Sequence, residues 1–384
     1  MNGKKASYAI WLGVLGACLL AGLYTTITLF REGHWLFAAN DVVVWSLPLG
    51  MYIFLALSSS GLAMLSALPT LFGMERLEPF SKRLVFLALA TLCGAFVAIA
   101  LEIGNIGGMI YFILSPNMAS PIWWMGALYT AELLFLTVKL GCLYTGDRQN
   151  ALSKTAGSLS FLCAMAAPMV LGAVFGTTES RSVYFGPMVS IFYLTMALFS
   201  GTALFFLHSM ICHRLETGRF PSHHSPVDEM FYRLFAWSAG AAIVTTGVTS
   251  AVGMSTVIPE FMAHRTVNTP FGSLFGFPLE VIVGLMVPFA LFMSPAVRKT
   301  AIGTLAAALI AWAGSLVIHM KMLINGQRFP VGPKAEQYSE VITYFPSPWE
   351  WLVALFALSV MLLLYTLGER YLNLGKANPH RSRP

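Results

Sequence analysis

Apolar runs of about 20 residues follow one another along the chain, separated by short polar connections. Within a run the apolar positions do not alternate with polar ones. Lipid offers no partner for the backbone, so only helices and closed barrels cross it. A barrel strand would read with a period of two, so these runs are helices. Each run has the roughly 20 residues that a bilayer crossing requires. Ten crossings are predicted, at 8–30, 42–67, 84–103, 122–144, 156–175, 187–212, 234–255, 275–293, 302–323 and 349–367. Ser294 and Pro295 cut the eighth short.

Composition agrees with the pattern. Of 384 residues, 57% are hydrophobic and 10% charged, against roughly 25% charged in a soluble domain. The fold expected is all-α, a polytopic membrane protein. The net charge of +6 gains a meaning from where the basic residues fall. With an even number of crossings both termini lie on one side. That side carries 16 of the 23 lysines and arginines, and the opposite side 6. Basic loops stay in the cytoplasm, so both termini are predicted to be cytoplasmic, in a bacterial or archaeal inner membrane. The charge is thus a topology signal and does not point to nucleic acid. The first run is too long for a cleaved signal peptide and reads as an uncleaved anchor.

The five cysteines, Cys18, Cys93, Cys142, Cys163 and Cys212, lie within runs or at the end of one, with no CxxC spacing. Iron–sulfur ligation needs clustered thiolates, so no cluster is expected, and the cysteines read as small core residues. A b-type haem needs two facing histidines at one depth. His208 falls near the cytoplasmic end of its run and His319 near the outer end of its own, so no haem is expected. No metal site is expected either, and His223 and His224 read as a solvated loop pair. The "GNIGG" at 104–108 follows a membrane helix and is no nucleotide fingerprint.

Ionisable residues in a membrane are costly and mark function. Asp41, Glu102, Glu280, His319 and Glu350 gather toward the predicted outer leaflet. Each has a plain alternative. Glu350 completes a capping box with Ser347 and follows Pro348. Glu280 is a first-turn acid, favoured by the helix dipole. Asp41 and Glu102 suit a solvated interface. Glu132 and Lys139 lie deeper, two helical turns apart on one face. Lys139 can snorkel to the headgroups. Glu132 is too short to snorkel, so it must pair, be protonated or face water.

Four stretches resemble the NrfD/PsrC family, the membrane subunits of polysulfide reductase and related respiratory complexes. "LSPNMASPIWWMGALY" (114–129) resembles its PN-x-x-SP-x-x-W connection. "SRSVYFGPMVSIFYLTMALFSGTALFF" (180–206) resembles its segment ending in SG-x-A. "FPLEVIVGLMVPFALFM" (277–293) resembles its helix with an acid followed by G-x-x-x-P. "YFPSPWEWLVALFALSVMLLLYTLGERYL" (344–372) resembles the last helix of its longer members. The span count points to the ten-helix branch, with the membrane subunits of hydrogenase-2-type and alternative complex III-type assemblies. Where the family carries D/E-x-G-R-P, this chain reads "EIGNIGG", with Glu102 but no Arg-Pro. The histidine that some members place at the start of the first bundle is not matched in this chain; His34 and Asn40 are nearby.

The resemblance implies one integral membrane domain over 1–384. It would hold a four-helix bundle over 42–175, a second over 187–293, and additional helices at 8–30, 302–323 and 349–367. It implies a quinone-binding subunit, without a redox centre of its own, that exchanges electrons with a four-cluster ferredoxin-like iron–sulfur subunit and a catalytic redox subunit. The quinone would be menaquinone or ubiquinone. Quinol chemistry moves two protons with two electrons and needs hydrogen-bonding groups at both ring oxygens. Asp41, Tyr52, Glu102 and Tyr129 are the candidate quinone contacts. Glu132, Lys139, Glu280 and His319 are the candidates for a proton path. A secondary transporter or ion-translocating subunit is the competing class, since buried acids and Gly/Pro-interrupted helices also describe it. A purely structural anchor is a third.

Overall fold

The computed structural model describes residues 2–105, 107–145, 151–181, 185–217, 226–261, 273–274, 277–328, 330–338, 342–372 and 374. The long helices are α1 (Asn2–Glu32), α2 (Leu47–Phe72), α3 (Ser81–Glu102), α4 (Pro121–Thr145) and α5 (Ala151–Gly176). They continue with α6 (Met188–Thr217), α7 (Pro226–Phe261), the interrupted α8 (Leu279–Met293), α9 (Ala301–Gln327) and α10 (Pro348–Tyr371). The fold is all-α and polytopic. Among the described residues, eight of these helices are long and apolar enough to cross a membrane: α1 to α6, α9 and α10. At about 1.5 Å per residue each exceeds the roughly 30 Å hydrocarbon core.

The ten expected crossings are thus met in part. The seventh stretch does form a helix, α7, but its apolar run is diluted by Thr245, Thr246, Gly247 and Thr249. The threonine hydroxyls bond carbonyls of the preceding turn, Thr246 to Ala242 at 2.6 Å and Thr249 to Thr245 at 2.8 Å. That is how hydroxyls are accommodated in an apolar helix. The eighth stretch differs more. A two-residue antiparallel bridge, Ser273–Leu274 with Phe277–Pro278, comes first, and the helix begins only at Leu279. Inside it, Ile282–Met286 is a π-helical turn followed by Pro288. Proline removes a backbone donor and clashes with the turn before it, and a widened turn relieves both. At about 1.5 Å per residue the Leu279–Met293 segment rises roughly 22 Å, less than a bilayer core.

The helix α2 is the axis of the molecule. It touches α3, α4, α5, α6, α9 and α10, and 94% of its most apolar stretch is buried. Around it α3 packs on α4, α4 on α5, and α5 on α6. The helices α7, α8 and α9 continue from α6, while α1 lies outermost along α10. Close approach at the centre depends on glycine. A Cβ on Gly61 would sit 2.0 Å from the Ala197 carbonyl oxygen, and one on Gly201 2.5 Å from the Gly61 Cα. Backbone therefore meets backbone between α2 and α6, with no space for a side chain.

Helix starts follow local chemistry. The predicted capping box of α10 is formed: the Ser347 hydroxyl accepts from the Glu350 amide, and the Glu350 carboxylate accepts from the Ser347 amide. Pro348 at the first position adds a fixed φ and no orphan donor.

Candidate functional site

Three consecutive residues of α2, Ser58, Ser59 and Ser60, are fully buried. Successive helical residues point about 100° apart, so the three reach different neighbours. Ser58 accepts from the Trp312 indole at 3.3 Å, Ser59 donates to the Ala88 carbonyl at 2.9 Å, and Ser60 donates to Glu132 Oε2 at 2.8 Å. Glu132 is wholly buried, and its Oε1 has no hydrogen-bond partner among the described residues. Tyr52 and Tyr129 stand beside it, edge to face with ring centroids 6.0 Å apart, and both are within electrostatic reach of Glu132. The buried Tyr129 hydroxyl makes no well-formed hydrogen bond among the described residues, though the Ser60 hydroxyl lies close enough to interact. Further on, His319 lies against Tyr193 and Phe192, at 5.9 and 6.3 Å between ring centroids. Neither ring nitrogen of His319 makes a well-formed hydrogen bond among the described residues, though the Ser315 carbonyl lies close enough to interact. Unpaired polar atoms in a dry interior are costly.

Lys139 is 2% exposed and does not snorkel. Its Nζ donates to the Ser66 carbonyl at 2.9 Å and to the Ser66 hydroxyl at 3.0 Å. Glu132 and Lys139 therefore both bond to α2, six residues apart, rather than to each other.

A second polar layer occupies the end of the helices that holds the α1–α2 connection. Glu102 accepts twice from Ser46, from the amide at 2.9 Å and the hydroxyl at 2.7 Å. The Tyr344 hydroxyl donates to Glu350 at 2.7 Å and accepts from the Leu47 amide at 2.8 Å. Burial first, and then the bond to Glu350, hold the Tyr344 phenol well above its ordinary range. Glu350 also accepts from the Ala38 amide at 2.8 Å. Gln327 accepts from the Val44 and Trp45 amides and donates to the Trp45 carbonyl. Side chains of α3, α9 and α10 thus fix the backbone of 38–47, which has few partners of its own.

Of the residues singled out in the sequence, Tyr52, Tyr129 and Glu132 come together. His319 is in the same interior, and Lys139 sits one step along α2. Glu102 belongs to the other layer. Glu280 pairs with Lys321 of α9 at 2.9 Å. Asp41 is separate: it is 69% exposed and pairs with Lys334 at 2.8 Å, and that lysine holds its carboxyl below the usual value. His208 lies fifteen residues along α6 from Tyr193, against which His319 packs. By helical rise that is about 22 Å. His223 and His224 lie outside the described residues.

Sequence reasoning did not single out His34 as a contact. Its Nε2 donates to the Leu101 carbonyl at 2.7 Å. It lines a shallow surface cleft with Leu29, Phe30, Ala100, Leu101 and Gly104. The signal available was its place beside the family's expected histidine. Cys212 also departs from the expectation of an apolar core residue, because it lies 3.0 Å from His208 Nε2 and 4.0 Å from Glu369 Oε1.

Comparison with known proteins adds to this geometry. The sequence profile described as "Polysulphide reductase, NrfD" matches residues 35–331. A protein of Halobacterium salinarum, provisionally named as a membrane subunit of dimethyl sulfoxide reductase, is 25% identical over 410 aligned positions, spanning 96% of this chain and 92% of the relative. The Hdr-like menaquinol oxidoreductase integral membrane subunit of Archaeoglobus fulgidus is 22% identical, over 96% of this chain and 94% of that one.

Proposed function

This chain belongs to the polysulphide reductase NrfD family of membrane proteins, and from that membership we propose that it is the quinol-oxidising or quinone-reducing membrane subunit of a respiratory oxidoreductase complex. The observation that carries the reading is the match over 35–331, the segment that holds most of the Glu102 layer and the whole Glu132 layer and begins beside the cleft at His34. The name of the Archaeoglobus relative favours menaquinol as the quinone, and both relatives' names favour redox partner subunits. In this reading a ferredoxin-like iron–sulfur subunit docks near the quinone and passes electrons to a catalytic subunit.

The cleft at His34 is a shallow surface opening, so it would meet only the edge of a headgroup and leave the rest of the quinone in lipid. His34 presents its imidazole there, and Glu102 lies within electrostatic reach of it. The geometry favours Glu102 over Asp41 as a headgroup partner, because Asp41 faces outward to Lys334. Tyr52, Tyr129, Glu132, Lys139 and His319 would conduct protons with ordered water between them, and Glu280 with Lys321 would extend the row. A first helical bundle over 42–175 and a second over 187–293, with additional helices at 8–30, 302–323 and 349–367 and both termini cytoplasmic, complete the proposal.

The test is a paired assay on the purified complex. Glu102→Gln is expected to lower quinone-linked turnover while electron transfer from a soluble dye to the catalytic subunit survives. Equal activity of the variant with quinone would remove Glu102 from the site, and unchanged quinone turnover in His34→Ala would remove the cleft as well.

A further inference from the structure

A separate cluster sits where α6, α10 and α3 meet, toward the C-terminal ends of α6 and α10. His208 and Cys212 are one helical turn apart on α6, so both side chains share a face. Glu369 reaches them from α10. The His208, Cys212 and Glu369 ligand atoms all lie within 4.8 Å of one another. None of these groups belongs to the layers described above.

From this geometry we propose that His208, Cys212 and Glu369 form a binding site for a divalent cation of the zinc class. One imidazole nitrogen, one thiolate sulfur and one carboxylate oxygen, with a fourth position open, are a donor set suited to zinc. Spacing agrees. Sulfur and nitrogen ligands at about 2.3 and about 2.0 Å from a tetrahedral zinc lie about 3.5 Å apart. The Cys212–His208 and Cys212–Glu369 separations, 3.0 and 4.0 Å, bracket that value, so small rotamer changes admit the ion.

The surroundings have the form of an outer shell. Arg83 of α3 donates to both carboxylate oxygens of Glu369, through Nε at 2.8 Å and Nη2 at 3.3 Å. The Tyr365 hydroxyl donates to Glu369 Oε1. Ligating carboxylates are commonly oriented by such partners. Tyr365 also packs edge-on against the His208 ring at 4.4 Å between centroids, which fixes the imidazole plane. Arg83 opposes a bound cation by charge. The thiolate and the carboxylate together supply two negative charges, which leaves the set neutral with a divalent ion before the guanidinium is counted. On binding, Cys212 releases its thiol proton to the buffer as the sulfur–metal bond forms. No electron moves. The ion would clamp α6 to α10 through ligands far apart in the chain.

Cobalt(II) is the probe. The full chain, in detergent and stripped with a chelator, is titrated with cobalt chloride. One ion per chain is expected, with a near-ultraviolet thiolate-to-cobalt absorption. The band should persist in a chain whose other four cysteines are replaced by serine. It should vanish in Cys212→Ser. His208→Ala should weaken binding at least about tenfold, the lower end of what loss of even an outer partner costs at a metal site. Zinc should displace the cobalt and raise the melting midpoint of the wild-type chain but not of Cys212→Ser. Absence of the band in the wild-type chain overturns the proposal, whether or not a variant accumulates. So does an unchanged cobalt spectrum in Cys212→Ser.

Discussion

Glu132 and Ser60 are hydrogen-bonded at 2.8 Å, fully buried, with one carboxyl oxygen held and the other without a partner among the described residues. Ser60→Ala would leave both oxygens unmatched. A buried polar group left unsatisfied costs about 1–3 kcal/mol, so the melting midpoint in detergent should fall. Glu132→Gln keeps an acceptor for Ser60 but replaces the titratable group with an amide whose N–H donors meet the unpartnered side. It should lower the midpoint by no more than Ser60→Ala does, and slow proton-coupled quinone turnover in vesicles. Normal turnover and proton stoichiometry in Glu132→Gln would leave this glutamate a packing residue.

Lys139 and Lys334 should differ in chemical access. Lys139 is 2% exposed and bound by Ser66, whereas the Lys334 side chain is 39% exposed. A membrane-impermeant amine reagent applied to both sides should modify Lys334 and spare Lys139, read by peptide mass spectrometry. Modification of Lys139 at a comparable rate would show an ammonium that reaches water.

Asp41 gives a pH signature of known sign. Its carboxyl is held below the ordinary value of 3.8 by Lys334. A depressed native pKa contributes stability that is present above the unfolded value and lost as pH falls through the native one. Any difference in melting midpoint between wild type and Asp41→Asn should thus be small at neutral pH and vanish in acid. An exposed pair is screened by water and salt, so raising ionic strength should also erase it.

Tyr344 ties two segments together, donating to Glu350 and accepting from the first turn of α2. Tyr344→Phe should cost about 1–3 kcal/mol through the buried groups left unpaired. It should also loosen residues 38–47, seen as faster hydrogen exchange at Ala38 and Leu47. Because the phenol is held above its ordinary range, alkaline titration of the folded variant should count one fewer tyrosine that resists ionisation. Unchanged exchange would show that Glu102 and Gln327 suffice to hold the connection.

The helices were legible because lipid imposes a length and forbids unpaired backbone. The start of α10 was legible too, because Ser347, Pro348 and Glu350 are neighbours in the chain. What escaped were relationships across long sequence distances. Nothing local to Asp41 announces a lysine 293 residues away. Nothing near Cys212 announces Glu369, since a cysteine at the end of an apolar run resembles any small core residue. Glu132 stands out as a deep acid, but its partner, Ser60, sits in a serine run with no periodic signal. The late start of α8 was hidden for a related reason: residues 277–293 are apolar nearly throughout, so hydropathy cannot register a π turn or the bridge before it.

The contact of Gly61 with Gly201 has a mechanical consequence. Two backbones that touch with no side chain between them have nothing to compress, so α2 and α6 form a welded seam through the centre. Ser60, which holds Glu132, lies on one strut of that seam, and Tyr193, which faces His319, lies on the other. The irregular backbone is peripheral by contrast: α8 carries a widened turn at Ile282–Met286 that leaves the regular α-helical hydrogen-bond ladder.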